Sequence, residues 1–369
     1  MVEKHFSNNY LKDTIEDLKL FEQTIYCYNY IKNKYPTLDK DNLEEQADIA
    51  SACFRQANEY IKSAKIAPLS TNPLLYSYAL NNFSKGMAYL LFIDETILSN
   101  FNDHGFKVLN ENIGESILET KVTIKKFGVI NFLLKTYNNY ELEKQNISFE
   151  KLLSQIPGLE KIFLNTTGKM GNVLRKIDGK SNDFFADCLN TEDIAEKRKI
   201  CDEYGLVGDY SKGKIYASFN AKGSNKYNGN DVIKRNLFYK NYLIIPNEFV
   251  DGIHDINLIF YCYLIIMGYG MLVRYNAHKW EKFIDCKLSN EATLIQSSIE
   301  CCVNNFIILL HQKIFEFYYL EDKYNDLDVR RVIDDSTVRI MNNISNNIFD
   351  RNMRYNSKEP FPWPRNLRN

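Results

Sequence analysis

LIFYCYLIIMGYGMLV, residues 258–273, is the stretch whose reading decides the fold. An uncharged run of this kind either crosses a membrane or lies inside a protein. A spanning helix needs about 20 apolar residues, and Gly268 and Gly270 each weaken a helix that lipid alone would surround. We read a buried core helix within about 251–276, and no membrane as partner. A helix that is apolar all round must be enclosed by other elements, and the flanking sequence supplies them.

Downstream, NEATLIQSSIECCVNNFIILLHQKIFEFYY (290–319) reads as a second long helix. Upstream, TIEDLKLFEQTIYCYNYIKNK (13–33) places Leu18, Phe21, Ile25, Tyr28 and Ile31 at spacings of three and four, an amphipathic helix ended by Pro36. LEEQADIASACFRQANEYIKSAK (43–65) gives another, broken at Ala67-Pro68. A third opens at STNP, with Asn72 as the expected cap and Pro73 in the first turn, and continues as LLYSYALNNFSKGMAYLLF.

The pattern changes after His104. ILETKVTIKKFGVI (117–130) alternates Leu118, Thr120, Val122 and Ile124 with polar neighbours, the period of a half-buried strand. SFEKLLSQIPGLEKIF (148–163) is a short helix interrupted near Pro157. KIYASF (214–219) and NLFYKNYLIIP (236–246) are strand-like, on either side of Gly/Asn/Lys loops, and EDIAEKRKICDEY is a charged helix. The expected architecture is mainly α: N-terminal (1–115) and C-terminal (249–320) helices form a bundle around an α+β insertion (116–248). A charged helix and a basic Pro/aromatic tail follow at 321–369.

Charge and cysteine use narrow the roles. The 46 Lys+Arg and 47 Asp+Glu leave a net charge of −1, so attraction to nucleic acid or an anionic surface must be local. Eight cysteines lack CxxC or Cys/His spacing, and the opening MVEKHFSNN is not a secretory segment, so reduced thiols and a cytoplasmic location are expected. Adjacent Cys301 and Cys302 point about 100° apart on a helix and should not pair. None of the five histidines has metal-ligand company, so no metal or other cofactor is expected.

Two loci carry candidate chemistry. Arg274 and His278, in MLVRYNAHKW (271–280), share a face if one helix runs through both, with His278 as acid/base and Arg274 on a phosphate. If the helix has already ended, they merely complement its negative end. In Asp103-His104-Gly105 a carboxylate adjoins an imidazole and glycine permits a turn that exposes the ring. Arg55 and Lys85 would join it as anion contacts, or pair with Glu59 or Asp94. Gly179-Lys180-Ser181 ends like a phosphate loop, but the required first glycine is Leu174. As a basic surface, Arg175, Lys176 and Lys180, and in the tail Arg354, Trp363 and Arg365, are the candidates for contact with nucleic acid or a protein partner.

CFRQANEYIKSAKIAPLSTNPLLYSYALNNFSKGMAYLL (53–91), DHGF (103–106), LLSQIPGL (152–159) and LVRYNAHKW (272–280) occur in this order, and together they resemble the YaaC-like family of bacterial proteins over roughly residues 45–315. Asn276-Ala277 departs from the His-Pro of that pattern and displaces His278. The chain beyond about 320 looks additional, with room for a partner. The resemblance implies a fold and makes Asp103-His104 the stronger site, without an established activity. The helical halves are also similar to HEPN domains, which implies Arg-x(4–6)-His for an RNase; Arg274-x3-His278 is one residue short. Two functions are therefore expected: a non-catalytic binding or scaffold protein, possibly homo-oligomeric or part of a defence or stress assembly, or a metal-independent RNase using His104 or His278 with Arg274 or Arg55.

Overall fold

The computed structural model describes residues 10–93, 101, 103–138, 145–176, 183–187, 195, 206–211, 214–219, 238–239, 242–244, 257–287 and 289–315. Its helices are α1 (Tyr10–Lys19), α2 (Thr24–Lys34), α3 (Lys40–Ile66), α4 (Asn72–Leu91), α5 (Val129–Asn138), α6 (Phe149–Leu153), α7 (Glu160–Thr167), α8 (Leu258–Tyr275), α9 (Ala277–Ile284) and α10 (Ala292–Phe315). Strands β1 (Phe106–Lys107), β2 (Lys121–Ile124) and β3 (Gln145–Ser148) form an antiparallel sheet in that order. A second, six-stranded antiparallel sheet runs β6-β7-β5-β4-β9-β8, from β4 (Val173–Lys176), β5 (Asp183–Asp187), β6 (Leu206–Ser211), β7 (Lys214–Phe219), β8 (Phe238–Tyr239) and β9 (Tyr242–Ile244).

The protein is thus mainly helical, with sheet between its N- and C-terminal helices. α8 is the axis, its residues buried without a break from Leu258 to Gly270. It packs on α4, α10, α5, α6 and α9. By length and composition α8 and α10 would each suffice to cross a membrane, yet 78% of the apolar window of α8 and 67% of that of α10 are covered by the rest of the chain. Within those windows the chain's own side chains cover most of the apolar surface.

The two glycines of α8 are sites of close approach. A Cβ on Gly268 would lie 2.6 Å from the Phe149 ring, and one on Gly270 would lie 2.6 Å from Ser77 Oγ and 2.7 Å from its Cβ. The propensity lost at these positions is the condition for seating α4 and α6 directly on the α8 backbone.

The first and last described helices meet across the bundle. The buried His311 of α10 contacts Asp17 of α1 through Nε2, 3.0 Å from Oδ2, and Tyr30 Oη donates to the Ile314 carbonyl at 2.6 Å. The Trp280 indole, buried on α9, donates to the Leu69 carbonyl between α3 and α4 at 3.2 Å. Buried Glu291, just before α10, accepts from Ser116 Oγ and from the Ile117 amide at 2.9 Å, tying the insertion to the helical body.

Four local expectations change. The helix read at 13–33 is two, because Gln23 is extended (φ −93°, ψ 121°). The break shifts the buried face to Cys27 and Ile31 and leaves Ile25 63% exposed. α4 is capped at the Thr71 position, and the buried Asn72 Oδ1 makes no capping bond. The strand read at 117–130 shrinks to Lys121–Ile124, since Gly128 turns the chain into α5. The sheet begins at β1, before residue 116. Of the charged helix in the insertion only Ala195 is described, and it is helical; residues 321–369 lie outside the described residues.

Gly270→Ala would gain about 1 kcal/mol of helix propensity in an open helix. Here the collision with Ser77 reverses the sign, to a loss of about 1–3 kcal/mol in chemical denaturation. Adding Ser77→Gly recovers most of that loss; a strictly additive double mutant would mean that the contact does not set the helix spacing.

Candidate functional site

Asp103, His104 and Gly105 form a loop pinned to the segment between β2 and α5. The Asp103 carbonyl accepts from the Val129 amide at 3.0 Å, that of His104 from the Ile130 amide at 3.3 Å, and that of Gly105 from the Lys125 amide at 2.8 Å. The loop therefore uses the first donors of α5 and caps it. Gly105 (φ +82°) and Gly128 (φ +100°) are left-handed and press together: a Cβ on Gly128 would lie 2.4 Å from the Gly105 nitrogen. No side chain fits there.

This backbone holds the charged groups in place. Asp103 Oδ1 accepts from the Gly105 amide at 2.8 Å, and Oδ2 pairs with Lys125 Nζ at 2.6 Å. Burial works against the Asp103 charge, but Lys125 and the Gly105 amide outweigh it, and its carboxyl is held below the usual range. The Lys125 ammonium also lies 5.9 Å from the centroid of the exposed Phe127 ring.

His104 is oriented from the opposite side. Its Nδ1 is 3.1 Å from Asn81 Oδ1 on α4, and the buried Tyr263 of α8 donates its hydroxyl to the same oxygen at 3.2 Å. The shared oxygen is an acceptor, which assigns the hydrogen to Nδ1 and the lone pair to Nε2. Nε2 meets no hydrogen-bonding partner among the described residues. Burial pushes the His104 pKa down; Asp103 opposes this, while the charges of Lys125 and Arg274 add to it. The ring is neutral at pH 7.

Arg274 stands on the same face of α8 as Tyr263, eleven residues and about three turns farther on. Its guanidinium lies 5.0 Å from the centroid of the Tyr275 ring, and among the described residues it has no carboxylate partner. Of the sequence candidates the fold thus sets Asp103, His104 and Gly105 in one loop, and the charge of Arg274 reaches that loop at His104. Asn81, Lys125, Gly128 and Tyr263 complete the locus and were not singled out. A glycine interrupting a strand-like pattern, as Gly128 does, signals close backbone approach and is the one clue the sequence held.

The remaining candidates lie elsewhere. α8 ends at Tyr275 and α9 starts at Ala277, across Asn276 (φ −139°, ψ 44°), so Arg274 and His278 do not share a helix. His278 is exposed, two residues before the inward-facing Trp280. Arg55 donates to the Glu22 carbonyl at 2.6 Å, and Glu59 pairs with Lys62 at 2.6 Å. The Lys85 charge acts on Cys53, whose thiol is pushed up by burial. Arg175 and Lys176 lie on β4, with side chains outside the described residues, as are Lys180, Arg354, Trp363, Arg365 and Asp94. The six described cysteines are free thiols, and no cluster of metal-ligand type occurs among the described residues.

An unfolded imidazole titrates near about 6.5, and in the fold that of His104 titrates lower. On acidification protons therefore bind the unfolded chain first, so stability falls as pH drops below about 6.5. His104→Gln removes that part of the slope. In NMR titrations Arg274→Gln raises the His104 pKa and Lys125→Gln does the same; an unchanged value in the first variant would separate Arg274 from the locus.

Among known proteins, the family described as YaaC-like protein matches residues 19–314. No curated protein and no solved structure matches the chain. The matched span runs from the end of α1 to the end of α10, encloses α8, and contains every residue of the His104 locus. On that extent of match, the chain belongs to the YaaC-like protein family.

Proposed function

We propose that this chain is a non-catalytic binding protein whose helical body holds one recognition locus for an anionic ligand, made by His104, Lys125 and Arg274. The observation that carries the reading is Arg274, a cation without a carboxylate partner among the described residues, whose charge reaches a His104 ring that has no hydrogen-bonding partner at Nε2 among those residues. With Asp103 ionised and His104 neutral, two cations face one anion, and the locus carries a net charge of +1. Such a charge suits a phosphate, to which guanidinium offers a planar fork of donors.

One observation favours the RNase reading: the fold brings the Arg274 charge to His104, whose Nε2 lone pair is that of a general base. In-line cleavage also needs an acid for the leaving oxygen. Asp103 is ionised, and His278 stands on another helix. Binding therefore accounts for the locus better than turnover.

Calorimetry with inorganic pyrophosphate at low salt tests the reading. The wild type binds, and Arg274→Ala weakens binding roughly tenfold or more while thermal stability is unchanged, the loss expected for a charge-assisted contact. Equal binding by wild type and variant would remove the locus from the function. Total RNA incubated with the wild type stays intact; cleavage that is lost in His104→Ala would install the RNase reading in its place.

A further inference from the structure

The two nitrogens of His104 are held in opposite roles. Nδ1 lies 3.1 Å from Asn81 Oδ1, an oxygen that also accepts from the Tyr263 hydroxyl at 3.2 Å, so the hydrogen of the neutral ring sits on Nδ1. Nε2 keeps a lone pair and has no hydrogen-bonding partner among the described residues. An anion oxygen is an acceptor as well. Two acceptors bond only with a hydrogen between them, and the neutral ring has none at Nε2 unless it gives up the bond to Asn81. The loop does not swing the other nitrogen outward, because the Asp103, His104 and Gly105 carbonyls are tied to the Val129, Ile130 and Lys125 amides.

The charges that act on the ring keep this hydrogen away from the empty site. Asp103, in the same loop, favours the imidazolium, whereas Lys125 from the segment between β2 and α5 and Arg274 from α8 oppose it. Asn81 of α4 has no charge, and burial keeps the Tyr263 hydroxyl of α8 protonated. Burial of the His104 ring acts in the same direction as the two cations. A bound anion shifts this balance, since a negative charge beside the ring favours its protonated form.

We propose that His104 is a proton-coupled anion contact: an anion that seats on Nε2 does so together with one proton, which lies between that nitrogen and an anion oxygen. A phosphate monoanion already holds such a proton and brings it along. Sulfate holds none near neutrality, so the proton comes from solvent and the imidazolium donates it. One anion and one proton enter the site in both cases. Affinity for an unprotonated anion is therefore highest in acid and, above the pH at which the free ring protonates, falls by about tenfold per pH unit. The site thus takes up such anions on acidification and releases them at alkaline pH. This rests on the anion-binding reading above and adds how that binding is regulated.

NMR of the full-length protein with 15N-labelled histidine, titrated with sodium sulfate at constant ionic strength, tests it. Without sulfate at pH 7, the His104 signals are those of a ring protonated at Nδ1 alone. Saturating sulfate protonates Nε2 as well, and the affinity drops about tenfold between pH 7 and pH 8. His104→Gln offers an amide N–H in place of the ring nitrogen and binds sulfate without pH dependence, read from the neighbouring backbone amides. Asn81→Asp sets a carboxylate against Nδ1, raises the His104 pKa and moves the drop in affinity to higher pH. Sulfate binding that leaves Nε2 unprotonated, or equal affinity at pH 6 and pH 8, overturns the proposal while leaving the anion-binding reading intact. Pyrophosphate binding with no sulfate binding even at pH 5 overturns it too; absence of binding by either anion at any pH removes both.

Discussion

The structure depends on one constraint: α8 is apolar on every side and must be covered all round. Along its buried length it offers no polar face to water, so α4, α5, α6 and α10 are bound to supply its environment. Gly268 and Gly270 set how near they come, since Phe149 and Ser77 occupy the space a side chain would need. Dense contact of this kind returns dispersion and hydrophobic free energy that two glycines in an exposed helix would forfeit.

The same helix carries the chemistry at its margin. Tyr263 reaches from the buried part of α8 to hold Asn81 and, through it, the His104 ring; three turns on, Arg274 emerges at the surface. Core packing thereby fixes the spacing of an imidazole and a guanidinium that are 170 residues apart in the chain. The opposite wall comes from the insertion, where two left-handed glycines, Gly105 and Gly128, let the Asp103-His104 loop cap α5. Lys125 pairs with Asp103, and its own charge offsets the pull of that carboxylate on a His104 proton. The result is an imidazole held in orientation by Asn81, and orientation fixed in advance lowers the cost of binding.

The elements legible in the sequence were those with a strong local pattern. α3 and α4 follow apolar periodicities, α8 and α10 are long apolar runs, and the Asp103-His104-Gly105 turn was visible from residue chemistry. What was hidden depended on tertiary contact. Gln23 breaks an otherwise continuous helical pattern, so Ile25 faces solvent where periodicity put it in the core. Lys125 looks like one more polar position of an alternating strand until Gly128 folds it back onto Asp103. Asn81 and Tyr263 sit in apolar helices where a polar atom is ordinarily a satisfied core group, and only their meeting at His104 distinguishes them. Arg274 and His278 show the reverse: a helical spacing in sequence that the break at Asn276 separates in space.

The central claim is that α8 is the shared core of both halves, so that neither half is stable without it. Native-state hydrogen exchange measures this most directly. The account predicts that amides of α8 between Leu264 and Leu272 exchange only through global unfolding, with the same free energy as those in the middle of α4 and α10. Exchange of α8 at a distinctly lower free energy than α4, as an independently opening unit, would contradict it.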